Sequence, residues 1–281
     1  MPKVEVSRGL FAPPEDCTMS RLPTVFISHG APTFALEPGI AGPTLTALGR
    51  RLPRPEAVLV VSPHWMTQAP AVGTTTRPRT IHDFGGFDPA LYEMTYPVAG
   101  HPALARRAAA LLTAAGWQSR EDDQRGLDHG AWVPLMHLYP AADVPVFQVS
   151  LPGRLDGAQA FAFGQALAPL SDEGVLVIGS GSLTHNLYEI QPGNSAAATY
   201  ATEFVHWVRD AVTRHDWGAL QRTMESAPHA RRAHPTTEHL LPLMVAAGAS
   251  GSPTAVDVID GGITYGVLSM ESYVFGEAGH A

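Results

Sequence analysis

The 281-residue chain is short of charge, with Lys, Arg, Asp and Glu making up only 16% of it. Lysine is confined to Lys3, which leaves the body of the chain without a candidate for a Schiff-base or phosphate-loop lysine. The 18 cationic side chains face 26 anionic ones, a net charge of −8, and no basic cluster interrupts the sequence. Affinity for a phosphate backbone comes from clustered cations, so nucleic acid is not an expected partner. Cys17 stands alone, so one chain cannot assemble a disulfide framework, a cysteine zinc knuckle or an iron–sulfur cluster, and a reducing, cytoplasmic setting is expected. Apolar runs such as Ala57 to Val61 fall far short of the roughly 18 to 20 residues a bilayer span needs. The start MPKVEVSRGL has no apolar leader core, so neither a membrane segment nor a secretory leader is expected.

What remains is a chain that is 45% hydrophobic and carries 13 histidines. Its length suits one α/β domain, so residues 1–281 are expected to form a single catalytic unit, with 1–22 as a poorly ordered N-terminal extension. Short runs rich in Val, Ile, Leu or Phe, without strict alternation, read as strands buried on both faces: Thr24 to Ser28, Ala57 to Ser62, Val144 to Ser150 and Val175 to Gly179. Ala255 to Ile259 and Tyr265 to Ser269 are weaker candidates. Helical spacing falls between them, at Pro43 to Arg51, Pro102 to Ala115, Ala131 to Leu138, Gly157 to Leu170, Ala196 to Arg214 and Thr237 to Ala247. This alternation predicts a three-layer α/β sandwich with a mixed or mostly parallel central sheet flanked by helices, and Val144 to Val177 as a strand–helix–strand unit.

With cysteine gone, metal-binding capacity lies in histidine and carboxylate. His29 directly follows TVFIS, His64 comes two residues after AVLVVS, and His185 follows VLVIG across a glycine- and serine-rich stretch read as a tight turn. All three therefore fall at carboxyl ends of strands, the edge where open α/β sheets bind ligands. One such histidine is more often a hydrogen-bonded structural residue, but three at equivalent places make an open metal site. AHPTTEH adds His234, Glu238 and His239 around an expected helix start capped by Thr236 or Thr237. Adjacent helical residues point about 100° apart, so only one of Glu238 and His239 is expected to face an ion.

His129, before a helix in GLDHGAW, and His82, in IHDFGGF beside the turn former Asp83, are candidates for the same crevice. The stretch from Met66 to Pro97 carries Phe84, Phe87, Tyr92 and Tyr96, which suits a pocket wall for a flat ring better than a solvated linker. His101, His137, His206, His215, His229 and His280 have no companions and read as surface or packing residues. Gly179-Ser180-Gly181-Ser182 matches neither a dinucleotide fingerprint nor a nucleophile elbow.

Taken together and in order, ISHGAP, VVSPHW, IHDFGGF, LDHGAW, GSGSLTHN and HPTTEHLLPL resemble the class III extradiol ring-cleavage dioxygenases, in the subgroup similar to 4,5-DOPA dioxygenase, from about Pro23 to Ser269. The resemblance implies a mononuclear non-haem Fe(II) held by His29, His64 and His239, with Glu238 as the carboxylate alternative used by more distant relatives. It also places His185 at the metal, as a further ligand when Zn²⁺ occupies the site or as the acid/base beside iron. A set without carboxylate also suits Zn²⁺. The implied reaction opens a small aromatic diol with O2 beside its two hydroxyls. In it His185 takes and returns a phenolic proton, His129 assists, and His82 and Phe84 contact substrate. A zinc-dependent hydrolase on the same histidines and a non-enzymatic binding module on a shared scaffold are the competing readings.

Overall fold

The computed structural model describes residues 21–193 and 196–278. Most of the expected N-terminal extension, together with Cys17 and His280, lies outside the described residues. The strands are β1 Thr24–Ser28, β2 Ala57–Thr67, β3 Ala71–Gly73, β4 Arg120–Asp122, β5 Val146–Pro152, β6 Val175–Gly181, β7 Val256–Ile259, β8 Ile263–Thr264, β9 Leu268–Ser269 and β10 Ser272–Phe275. The helices are α1 Ala41–Arg51, α2 Pro89–Glu93, α3 Pro102–Ala114, α4 His129–Leu138, α5 Gly157–Leu167, α6 Thr199–Thr213, α7 Trp217–Gln221, α8 Thr223–Ser226, α9 Ala230–Ala233 and α10 Leu241–Ala249.

Eight strands form one mixed sheet in the order β4-β3-β5-β2-β6-β1-β10-β7. The central four, β5, β2, β6 and β1, are parallel, and antiparallel pairings fall on both sides of them. Burial on two faces explains their apolar runs, and the period of two divides each run between two cores. Leu59, Val61, Val175 and Val177 pack on the side covered by α3, α5, α6 and α10. Val58, Val60, Leu176 and Ile178 pack on the side covered by α1 and α4. The expected three-layer sandwich is therefore present. The unit β5-α5-β6 is there too, but it steps over β2, which pairs with both strands. Local chemistry starts the helices: Asp156 and Gln159 form a reciprocal capping box on α5, and Pro102 opens α3.

Register sets the site. Ser28 pairs with Gly181 and Val61 with Gly179, so β1, β2 and β6 end at one edge. Several boundaries differ from expectation. β2 does not stop at Ser62; it runs to Thr67, and its register with β5 shifts between Ser62 and Met66, so His64 belongs to an irregular part of the strand. The glycine- and serine-rich stretch is no tight turn: Gly179, Ser180 and Gly181 are strand. A Cβ at Gly179 would collide with the Pro242 carbonyl and one at Gly181 with the His239 carbonyl, so glycine is needed for close packing. α10 begins at Leu241, and residues 237–240 are a turn with no side-chain cap. Tyr265 to Ser269 is not a strand of the main sheet. Tyr265 (φ 52°) and Gly266 (φ 74°) adopt left-handed backbone, turning β8 back onto β9.

Candidate metal centre

His29 leaves the end of β1, 1% exposed, with its amide donating to the Gly181 carbonyl at 2.9 Å. Its Nδ1 lies 2.9 Å from Ser180 Oγ, and that hydroxyl donates to the Gly130 carbonyl, so Ser180 accepts from a protonated Nδ1. Gly130 has a free carbonyl because Pro134, four residues on inside α4, has no N–H to offer it. His29 Nε2 therefore carries a lone pair, and it faces His64 Nε2 at 3.1 Å.

His64 repeats the arrangement. Its Nδ1 faces Asp83 Oδ2 at 3.6 Å, which turns its Nε2 toward His29. His239, in the turn before α10, turns Nδ1 to Glu238 Oε1 at 3.3 Å, while its buried Nε2 has no hydrogen-bond partner. Glu238 and His239 are thus not alternatives on a helix. The carboxylate, which also accepts from Thr236 Oγ1 at 2.8 Å, lies against the imidazole. Ring centroids place His29 at 5.1 Å from His64 and 5.4 Å from His239, with His64 and His239 5.1 Å apart.

Two more histidines complete the cluster. His129 opens α4 with its ring centroid 3.9 Å from that of His64. Its amide donates to Asp83 Oδ1 at 2.9 Å, and its Nδ1 lies 3.1 Å from the same oxygen. His185 stacks on His239 at 3.5 Å, nearly parallel at 9°, and its amide donates to the Ala233 carbonyl. Its donors group with those of Glu238 and His239, whereas His29, His64 and His129 form a second group. His82 stands behind the crevice: its Nε2 donates to the Met94 carbonyl at 3.0 Å, and its ring meets Phe84 and Trp132 edge-on. His234 lies elsewhere again, buried, with Nε2 donating to the Leu183 carbonyl at 2.9 Å.

Burial decides the charge of these groups. Desolvation, reinforced by neighbouring imidazoles, lowers His29 well below its ordinary value. It brings His64 to about 4 despite Asp128 and Asp83, and His239 to about 3 despite Glu238. Burial also lowers His185, with partial opposition from Glu238. All four are neutral at pH 7, the form that donates a lone pair to a metal. Burial pushes Asp83 up, but the hydrogen bonds and charge of His129 outweigh it and hold the carboxyl at about 2.

His29 and His64 turn Nε2 toward each other, the His239 ring lies 5.1–5.4 Å from both, and its buried Nε2 has no hydrogen-bond partner; such a set of nitrogen donors fits a divalent cation such as iron or zinc. The cluster opens into a cavity of about 510 Å³ lined by His64, His129, His185 and His239 and walled by Phe84, Phe87, Leu187, Ile190, Pro192, Tyr265 and Leu268. Asp83 and Ser180 are the functional side chains that sequence reasoning missed. Each stands inside a quoted motif, but only the fold shows which imidazole it holds.

A sheet whose carboxyl edge gathers neutral imidazoles at an apolar, partly aromatic cavity has the make-up of a metal-dependent enzyme site. Residues 24–276 match the family described as the catalytic LigB subunit of aromatic ring-opening dioxygenase, and the chain belongs to that family. It is similar to the 4,5-DOPA dioxygenase extradiol of Beta vulgaris, 42% identical over 256 residues that cover 90% of this chain and 96% of the relative. It is also similar to the Escherichia coli K12 protein of the same name, 37% identical over 273 residues, covering 93% and 98%. The crystal structure of an uncharacterized protein from Escherichia coli K12 superposes with a TM-score of 0.76 at 32% identity, covering 91% of this chain and 100% of that one. The chain is accordingly an oxidoreductase of the extradiol ring-opening class. Among the described residues, no helix is long and apolar enough to cross a membrane.

Proposed function

We propose that this chain, acting as one catalytic domain, opens a catechol with O2 at Fe(II) held by His29, His64 and His239. The observation that carries this reading is the packing of the three rings at one sheet edge, with His29 and His64 facing each other through Nε2 and His239 Nε2 buried without a partner, while Ser180 and Glu238 stand against Nδ1 of His29 and His239 and Asp83 faces that of His64. Bound there, Fe(II) supplies the positive charge that acidifies a catechol's hydroxyls and the redox partner that dioxygen requires. The same nitrogens accept Zn²⁺, so zinc in a purified preparation is compatible with iron chemistry.

The chain's own residues do the rest. His185, neutral at pH 7 and open to the cavity, takes a phenolic proton at its imidazole and returns it as the ring opens. Its place in the cavity lining, stacked on the His239 ring, suits an acid/base that meets the substrate beside the ligand set. His129, held by Asp83, orients the diol, and Phe84 packs against the ring with His82 behind it. The apolar wall excludes water. Glu238 serves as the support of His239. The grouping of His129 with His29 and His64 gives a second reading, in which His129 takes the third ligand position. The lone cysteine fits a cytoplasmic setting.

The test is anaerobic loading with Fe(II), addition of catechol or DOPA, then air, following the yellow semialdehyde. His185→Ala is expected to keep the fold and metal while turnover falls by about 10² to 10⁴; near-normal turnover removes its assigned role. Elemental analysis of His29→Ala, His64→Ala, His239→Ala and His129→Ala is expected to show metal loss in the first three. Loss in His129→Ala with retention in His239→Ala would instead select the second reading.

A further inference from the structure

We infer that the site selects catechols whose ring substituent is uncharged and apolar, in preference to amino-acid or carboxylate-bearing catechols. The inference rests on the ring-opening reading above, which places the two hydroxyls against the histidines. The cavity, at about 510 Å³, holds considerably more than a bare ring, so a substituent has room beside Phe87, Leu187, Ile190, Pro192 and Leu268. Among the described residues no Lys, Arg, Asp or Glu lines it, and the only polar side chain besides the histidines is Tyr265. That hydroxyl is already bonded to Thr33 Oγ1 at 2.7 Å.

The arginines beside the lining residues are committed elsewhere: Arg125, which reaches the His64 carbonyl, pairs with Asp128 at 2.8 Å. Arg232 meets both oxygens of Glu189 at 2.9 and 2.8 Å, and its guanidinium covers the Tyr200 ring at 4.1 Å. Glu37 lines the adjoining cavity, which shares Ala31 and Tyr265 with this one, and a carboxylate there repels an anion. A carboxylate carried to this wall loses water and gains no partner, whereas an alkyl chain gains with each carbon buried. Leu187, 54% exposed at the rim, extends the apolar surface to the mouth.

The matched pair 4-propylcatechol and 3-(3,4-dihydroxyphenyl)propanoate, with L-DOPA as a third compound, tests this on the full Fe(II)-loaded chain. Two quantities are measured: kcat/KM in air, and Kd by calorimetry without oxygen. We expect 4-propylcatechol to lead by about tenfold or more, through KM and Kd, with a roughly two- to fourfold gain per methylene from methyl to propyl. Leu187→Arg is expected to narrow or reverse the preference by favouring the propanoate. Equal or better binding and turnover of the carboxylates overturns the inference and leaves ring opening intact. If no catechol is opened but the anaerobic Kd values keep this order, ring opening fails and the pocket preference stands.

Discussion

At the scale of single residues, the imidazoles depend on neighbours that carry no metal themselves. Asp83 accepts the His129 amide, lies against His129 Nδ1 and faces His64 Nδ1, so one carboxylate orients two rings of the cluster. Asp83→Asn preserves volume but removes the charge and one acceptor. It is expected to weaken metal binding by about 10- to 100-fold with the fold intact, measured by chelator competition alongside circular dichroism. Unchanged affinity would detach Asp83 from the site. The histidines themselves were legible in the sequence because strand ends are visible as apolar runs, and His29, His64 and His185 follow three of them. Asp83 was not, because its partner His129 is 46 residues away and nothing local marks the pairing. His82 shows the converse: its motif is prominent, yet its ring packs behind Phe84 and its Nε2 is used by the Met94 carbonyl.

At the scale of elements, glycine and proline do work that local turn rules misread. Gly181 lies in β6 because the His239 carbonyl occupies the space of a Cβ, and the Ser182 amide donates to that carbonyl at 2.9 Å. Gly181→Ala should therefore push the 239 turn away from the sheet, destabilising the fold by about 1 to 3 kcal/mol in denaturant unfolding and lowering metal content. Stability and metal content both at wild-type levels would refute this account. Pro134 acts by omission: lacking an N–H, it frees the Gly130 carbonyl for Ser180, which in turn holds His29. Pro134→Ala supplies a competing donor. The expected outcome is equal or higher thermal stability with metal affinity lower by about tenfold, a split that a purely structural proline would not produce. The six longer helices were readable from periodicity, whereas the short α2, α7, α8 and α9 and the start of α10 were not. Thr236 and Thr237 resemble caps, but the Thr236 hydroxyl bonds to Glu238 instead.

At the scale of the whole molecule, the layers were legible and the strand order was not. Periodicity identifies β1, β2, β5 and β6, but nothing in it says that β5 crosses over β2, or that β10, four buried residues beside Glu271, enters between β1 and β7. Glu271 is made tolerable there by Arg209 and by the Tyr273 hydroxyl, partners visible only in the fold. The same burial gives the molecule a pH dependence whose sign is fixed. Burial brings His234 to about 4 against its hydrogen bond to Leu183, and His64 and His239 are lowered to about 4 and about 3. Below the ordinary value of about 6.5 the unfolded chain binds protons at these positions that the folded chain refuses, so stability falls as pH falls toward 4. The slope is up to about 1.4 kcal/mol per pH unit for each such histidine. Denaturant unfolding of the metal-free chain at pH 7, 6 and 5 should show this decline. His234→Gln, which keeps a donor for the Leu183 carbonyl, should flatten it by up to one histidine's share. Stability that stays constant from pH 7 to 5 would mean that the buried imidazoles take up protons as readily in the folded chain as in the unfolded one, and the neutral donor set assigned to the metal would fall with it.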